Sequence, residues 1–250
     1  RIVGGSSSLP GSHPWTAAIY IGDSFCGGSL VQTCWVVSAA LCFANSPLKS
    51  TIRVVLGQQI FNKTTDVTQT FEIEKYILHP QYSSLSSSCI FCSAALIKLK
   101  KNGQRCAVKS QFVQPICLPE SDTAFPDHLK CQISGWGHKH ENISGYSDVL
   151  QETLVPLIPE EKCRSPEIYG TELTENMFCA GYFDSKSDAC QVMLGVLFRQ
   201  VVEMYFGQKC DISYLYGIIS WGDGCGRVNK PGVYTRVTNY VKWINEKIAP

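Results

Sequence analysis

The sequence predicts an all-β fold, an antiparallel barrel or sandwich, with a helix at its C-terminal end. Three observations carry that prediction. Short segments rich in Val, Ile, Tyr and Phe recur between clusters of Gly, Pro, Ser and Asn along all 250 residues, the pattern of short strands joined by turns. The composition, 44% hydrophobic and 17% charged, allows a real core. Apolar residues fall at helical spacing only near the end of the chain.

In order, the candidate strands run from Trp15 to Ile21, Trp35 to Ala39, Ile52 to Leu56, Phe71 to Leu78, Ala94 to Leu99, Lys130 to Gly135, Leu215 to Trp221 and Gly232 to Val237. Val237, Val241, Ile244 and Ile248 then share one helical face, with Thr238 or Asn239 available as N-cap.

Lys and Arg total 22 against 21 Asp and Glu, a net charge of +1. Neither half holds a dense basic run, which argues against nucleic acid or an anionic membrane as partner and leaves proteins. No apolar run approaches the roughly 18 residues of a membrane span. Arg1 does not open a signal peptide, so the chain reads as a processed portion of a longer precursor. Thirteen Cys imply an oxidising compartment, and hence secretion. The sequons Asn62-Lys63-Thr64 and Asn142-Ile143-Ser144 agree, with Asn62 and Asn142 as candidate glycosylation sites. Cys89 and Cys92 have a Cys-x-x-Cys spacing, but zinc needs about four ligands and neither a second pair nor a His lies nearby. A local bridge or two free thiols is the better reading, and neither a metal nor a cofactor is expected.

Several stretches share one pattern: Arg1-Ile2-Val3-Gly4-Gly5, Cys26-Gly27-Gly28-Ser29-Leu30, Trp35-Val36-Val37-Ser38-Ala39-Ala40, Gln114-Pro115-Ile116-Cys117-Leu118-Pro119, Gly135-Trp136-Gly137, Tyr216 to Cys225 and Lys230 to Val237. Together they resemble the trypsin-like (chymotrypsin-fold) serine proteases over nearly the whole chain. That resemblance implies two antiparallel Greek-key β-barrels, about residues 1–117 and about 118–250, with a catalytic cleft between them, residues 118–130 crossing from one to the other, and the helix last. It also implies five disulfides: Cys26 with Cys42, Cys34 with Cys106, Cys131 with Cys210, Cys163 with Cys179, and Cys190 with Cys225. Cys117 matches a position that multidomain relatives link to an upstream segment.

Acyl transfer in this family uses a Ser nucleophile, a His base, an Asp that orients it and an oxyanion hole. The family's Ala-Ala-His-Cys reads Ala39-Ala40-Leu41-Cys42 here, its Asp position is held by Ser93, and its nucleophile position by Leu194. Val192 replaces the glycine whose backbone aims an oxyanion-hole N–H, and Met193 the Asp that pairs with the new α-amino group. Loss of the nucleophile or base alone costs on the order of a million-fold in kcat. These residues therefore predict a secreted, catalytically inactive homologue, not an enzyme, acting through a protein partner. The alternative is an active endopeptidase cutting after Arg or Lys. By resemblance, Asp188 at the base of the specificity pocket and Gly222 and Gly232 on its walls would admit a basic side chain. The five His, at 13, 79, 128, 138 and 140, read as surface or turn residues.

From Val196 to Ser213 the chain departs from the family in wording and length, and Leu197 to Phe206 is unusually apolar. Val192-Met193-Leu194-Gly195-Val196-Leu197 is also what codons for Gly-Asp-Ala-Gly-Gly-Pro read as after the loss of one base.

Overall fold

A computed structural model describes residues 2–3, 5–81, 94–137, 145–184, 188–189, 196–205, 208–221 and 227–249. The first strands are β1 (Ile2–Val3), β2 (Ser6–Ser7), β3 (Thr16–Ile21), β4 (Ser24–Gln32), β5 (Trp35–Ala39), β6 (Ile52–Leu56), β7 (Gln69–Leu78) and β8 (Ala94–Leu99). There follow β9 (Lys130–Gly135), β10 (Gln151–Pro156), the short helix α1 (Glu160–Cys163), β11 (Met177–Ala180), β12 (Asp188–Ala189), β13 (Val196–Tyr205), β14 (Gln208–Trp221), β15 (Gly232–Arg236) and helix α2 (Val241–Ile248).

Six strands close a barrel in the order β3-β4-β5-β8-β7-β6. Period-two alternation drives it: in β7 Phe71 and Ile73 turn inward while Glu72 and Glu74 stay exposed. Ile19, Leu30, Val36, Val54, Leu56, Ile97 and Leu99 fill the interior, each burial contributing about 1.5–3 kcal/mol relative to exposure. Gly28 is needed for closure. A Cβ there would lie 2.8 Å from the Val37 carbonyl oxygen and 2.9 Å from methyl carbons of Ile19 and Val36.

The second half forms a seven-stranded sheet, β11-β15-β14-β13-β9-β10-β2. Its two ends meet. An antiparallel bridge joins Leu157 to Ala180, and the Ile158 and Gly181 N–H groups donate to Cys179 O and Pro156 O, both at 3.0 Å. Ile133, Val155, Leu157, Phe178, Tyr216 and Tyr234 form its core. The two halves share a third cluster, in which Trp35 and Leu96 of the barrel meet Leu215 and Ile218 of β14 and the buried face of α2. Cys117 bridges Tyr214 in parallel just before the chain crosses to the second sheet. The expected all-β architecture and terminal helix are thus observed.

The expected strands lie where the sequence places them, within two residues, apart from β14, which starts seven residues early. Four longer ones were not anticipated. β4 carries Gly27 and Gly28, which read as turn signals; β10 mixes charge with a terminal Pro; β11 has only four residues, all buried; and β13 had no family wording to follow. The helix also begins differently. Val237–Tyr240 form a 3-10 turn, and α2 starts after Tyr240 with no side-chain cap. Thr238 is buried in that turn, while Asn239 donates instead to Glu175 O at 3.2 Å and Asn176 Oδ1 at 2.8 Å.

Three disulfides form as the resemblance implied: Cys26–Cys42, Cys34–Cys106 and Cys163–Cys179, with Cα separations of 6.4, 5.1 and 6.2 Å. Cys131 is buried. The Cys210 side chain, Cys190, Cys225, Cys89 and Cys92 lie outside the described residues, as do Asn142, His138 and His140. Cys117 is exposed, and Asn62 is exposed with φ +54°. His13 was expected as a surface or turn residue; it lies in a turn, its carbonyl accepting the Thr16 N–H at 3.0 Å, but its side chain is buried, because its Nε2 meets Glu152 Oε2 of β10.

Candidate active site

Of the three positions assigned to the triad, Leu41 is described and Ser93 and Leu194 lie outside the described residues. Leu41 is half-buried in the 3-10 turn Ala40–Phe43, which follows β5 directly. Four contacts fix that turn. The Cys26–Cys42 disulfide ties it to β4; the Ser38 hydroxyl donates to Gly27 O at 2.8 Å; the Ala44 N–H donates to Leu41 O at 3.2 Å; and the fully buried Phe43 stacks on Tyr76 with ring centres 4.7 Å apart.

The strand register then brings the neighbouring position close. Ala39 is paired with Ala94, so the residue after Ser93 lies against the residue two before Leu41. The Ala94 carbonyl also accepts the His79 N–H at 3.1 Å. The His79 ring packs edge-on against Tyr240 and Trp243 at 4.8 and 4.9 Å, and burial holds its pKa below the ordinary value.

Of the positions assigned by resemblance to the specificity pocket, Asp188 lies in a separate two-stranded sheet of β1 and β12, and Gly232 in the seven-stranded sheet. Asp188 sits in β12, paired with Val3 as Ala189 is with Ile2. Gly232 is buried, opens β15 and pairs with Ala180; Gly222 lies outside the described residues. The turn before Gly232 is held from below: the Tyr169 hydroxyl donates to Pro231 O at 2.6 Å and the Lys230 ammonium to Ile168 O at 2.8 Å. Trp221, the last residue of β14, packs on Tyr169 at 4.8 Å and donates its indole N–H to Met177 Sδ at 3.5 Å. The geometry therefore brings the Leu41 turn to the start of β8 in one half and fixes the Trp221 and Gly232 strands in the other.

Sequence reasoning missed the His13–Glu152 pair. Burial, the largest effect, pushes the His13 pKa below its ordinary value, against the opposing hydrogen bond and charge of Glu152. The two residues are 139 apart in sequence, and no local pattern links them.

The trypsin family model matches residues 2–244. The chain belongs to the trypsin family of serine proteases. It is 64% identical over all 250 residues to hepatocyte growth factor activator serine proteases of Canis lupus familiaris and 63% identical to the Homo sapiens relative. It is 42% identical to coagulation factor XII of Rattus norvegicus over 252 aligned residues. The chain spans about 37% of the first two relatives' length and about 41% of the third's. The stretches Tyr20 to Cys26 and Thr64 to Phe71 are worded most like the protease domain of hepatocyte growth factor activator, and the identity extends that likeness to the whole chain.

These comparisons correct the expectation that the chain is not an enzyme. Its relatives at 63–64% identity over all 250 residues are named serine proteases. The contrary reading rested on five single positions, Leu41, Ser93, Val192, Met193 and Leu194. Of these only Leu41 lies among the described residues, so the structure offers no picture of an absent triad to set against the family.

Proposed function

We propose that the chain works in the endopeptidase class of its relatives, on extracellular protein substrates that present Arg or Lys. The identity of 64% across all 250 residues carries this reading. The disulfides support the oxidising compartment it needs. By resemblance to the family, Asp188 is the carboxylate for a basic side chain, and Gly222 and Gly232 are the wall positions without side chains. Leu41, Ser93 and Leu194 are the triad-equivalent positions by resemblance. Aliphatic side chains at 41 and 194 relay no proton, so turnover makes a sharp demand on groups other than these two. The test is treatment with an activating protease and then a fluorophosphonate probe. Labelling of this chain at a serine, blocked by prior heat denaturation, is the expected result. An unlabelled folded chain, in which labelling appears only after Leu41→His, Ser93→Asp and Leu194→Ser are introduced together with glycine at 192 and aspartate at 193, would overturn the proposal.

A further inference from the structure

The ribbon of β13 and β14 is longer than the sheet that holds it. β13 pairs with β14 along its whole length, from Val196↔Ile218 to Tyr205↔Gln208. On its other edge β9 pairs only with Val196, Leu197 and Phe198. Among the described residues, no strand continues that edge beside residues 199–205. Such an edge presents a row of N–H and C=O groups ready to pair with another strand.

The sequence along the open edge is Arg199-Gln200-Val201-Val202-Glu203. Its middle is β-branched, it holds neither Pro nor Gly to block pairing, and its ends carry opposite charges. If the stretch is laid antiparallel on a second copy about a two-fold axis at Val201, Arg199 of each copy stands opposite Glu203 of the other. Any other register separates these charges: a two-fold axis at Val202 sets Arg199 opposite Tyr205 and Glu203 opposite Val201. Unlike charges directly opposite stabilise a strand pair, and like charges oppose it. A net charge of +1 adds little repulsion between copies.

We propose that this edge is an interaction surface for a second copy of the chain, paired antiparallel through Arg199–Glu203 with Val201 on the axis. The contact is isologous, so it closes on a dimer and does not propagate. It uses part of the stretch from Val196 to Ser213, where the chain departs from the family in wording and length.

Sedimentation velocity of the full chain over a wide concentration range tests the proposal. A monomer–dimer equilibrium is expected. Glu203→Arg or Arg199→Glu alone sets two like-charge pairs across the axis and weakens dimerisation about tenfold or more. Arg199→Glu combined with Glu203→Arg restores the opposite charges and brings the dissociation constant back to within about threefold of the original. Rescue by the second reversal separates loss of pairing from misfolding. A monomer at every concentration, assemblies beyond dimers, single variants that dimerise like the original chain, or a double variant that stays monomeric each overturn it.

Discussion

Gly28→Ala tests whether closure of the first barrel depends on strand contact at one atom. The new Cβ would lie 2.8 Å from the Val37 carbonyl oxygen and 2.9 Å from Ile19 Cδ1 and Val36 Cγ1. The methyl carbons can shift by a rotamer change. The carbonyl cannot, because Val37 is locked between β4 and β8 by its pairing with Ser29 and Leu96. Overpacking of this kind costs about 1–3 kcal/mol, and a rigid backbone neighbour argues for the upper half, about 2–3 kcal/mol. For a chain of this size, that lowers Tm by about 4–12 °C. Differential scanning calorimetry at one fixed scan rate reads the shift, with Gly103→Asn as comparison. Gly103 has φ +68° and open space around it, and Asn tolerates that backbone, so its cost should stay under about 0.5 kcal/mol. A Gly28→Ala protein that melts with the original, or a Gly103→Asn protein that falls as far, would refute the reasoning.

Three further outcomes follow from the same contacts. His13 has its pKa lowered by burial, so the unfolded chain binds more protons than the folded one just below pH 6.5. Stability is then full above about pH 6.5 and falls as pH drops below it; Tm measured from pH 7.5 to 5 should decline, and less steeply in His13→Gln. Removing Cys34–Cys106, which closes 72 residues, should cost about 4.5 kcal/mol against about 3 for Cys26–Cys42, which closes 16; paired Cys→Ser variants compared by denaturant unfolding check the order. Trp136 is fully buried and donates to Gln59 O at 3.2 Å, so Trp136→Ala should cost about 3–5 kcal/mol, read from the shift in urea midpoint.

Much of the fold was legible because it rests on local alternation. β5, β6 and β8 carry apolar runs that end at turn residues, and their bounds match to the residue. The buried stripe Val237, Val241, Ile244 and Ile248 was equally plain. What escaped depends on distant partners. Glycine in β4 reads as a turn until Val37 and Ile19 are seen closing over it, and the burial of the turn residue His13 is hidden until Glu152 arrives from 139 positions away. At the candidate site, the Leu41 turn follows from Ala39-Ala40 and the Cys26–Cys42 bridge. The inference from five substituted positions to a chain that is not an enzyme outran what those positions could carry, because family likeness is distributed over the whole scaffold while the inference rested on isolated side chains.

The most direct test of the proposed activity is turnover. The purified chain, cut after Arg1 by an activating protease that is then removed, is offered a protein substrate rich in Arg and Lys, and the products are mapped by mass spectrometry. The account predicts new termini after Arg or Lys, lost on treatment with a covalent serine reagent. Products no different from those of buffer alone, from a chain shown to melt cooperatively, would contradict it.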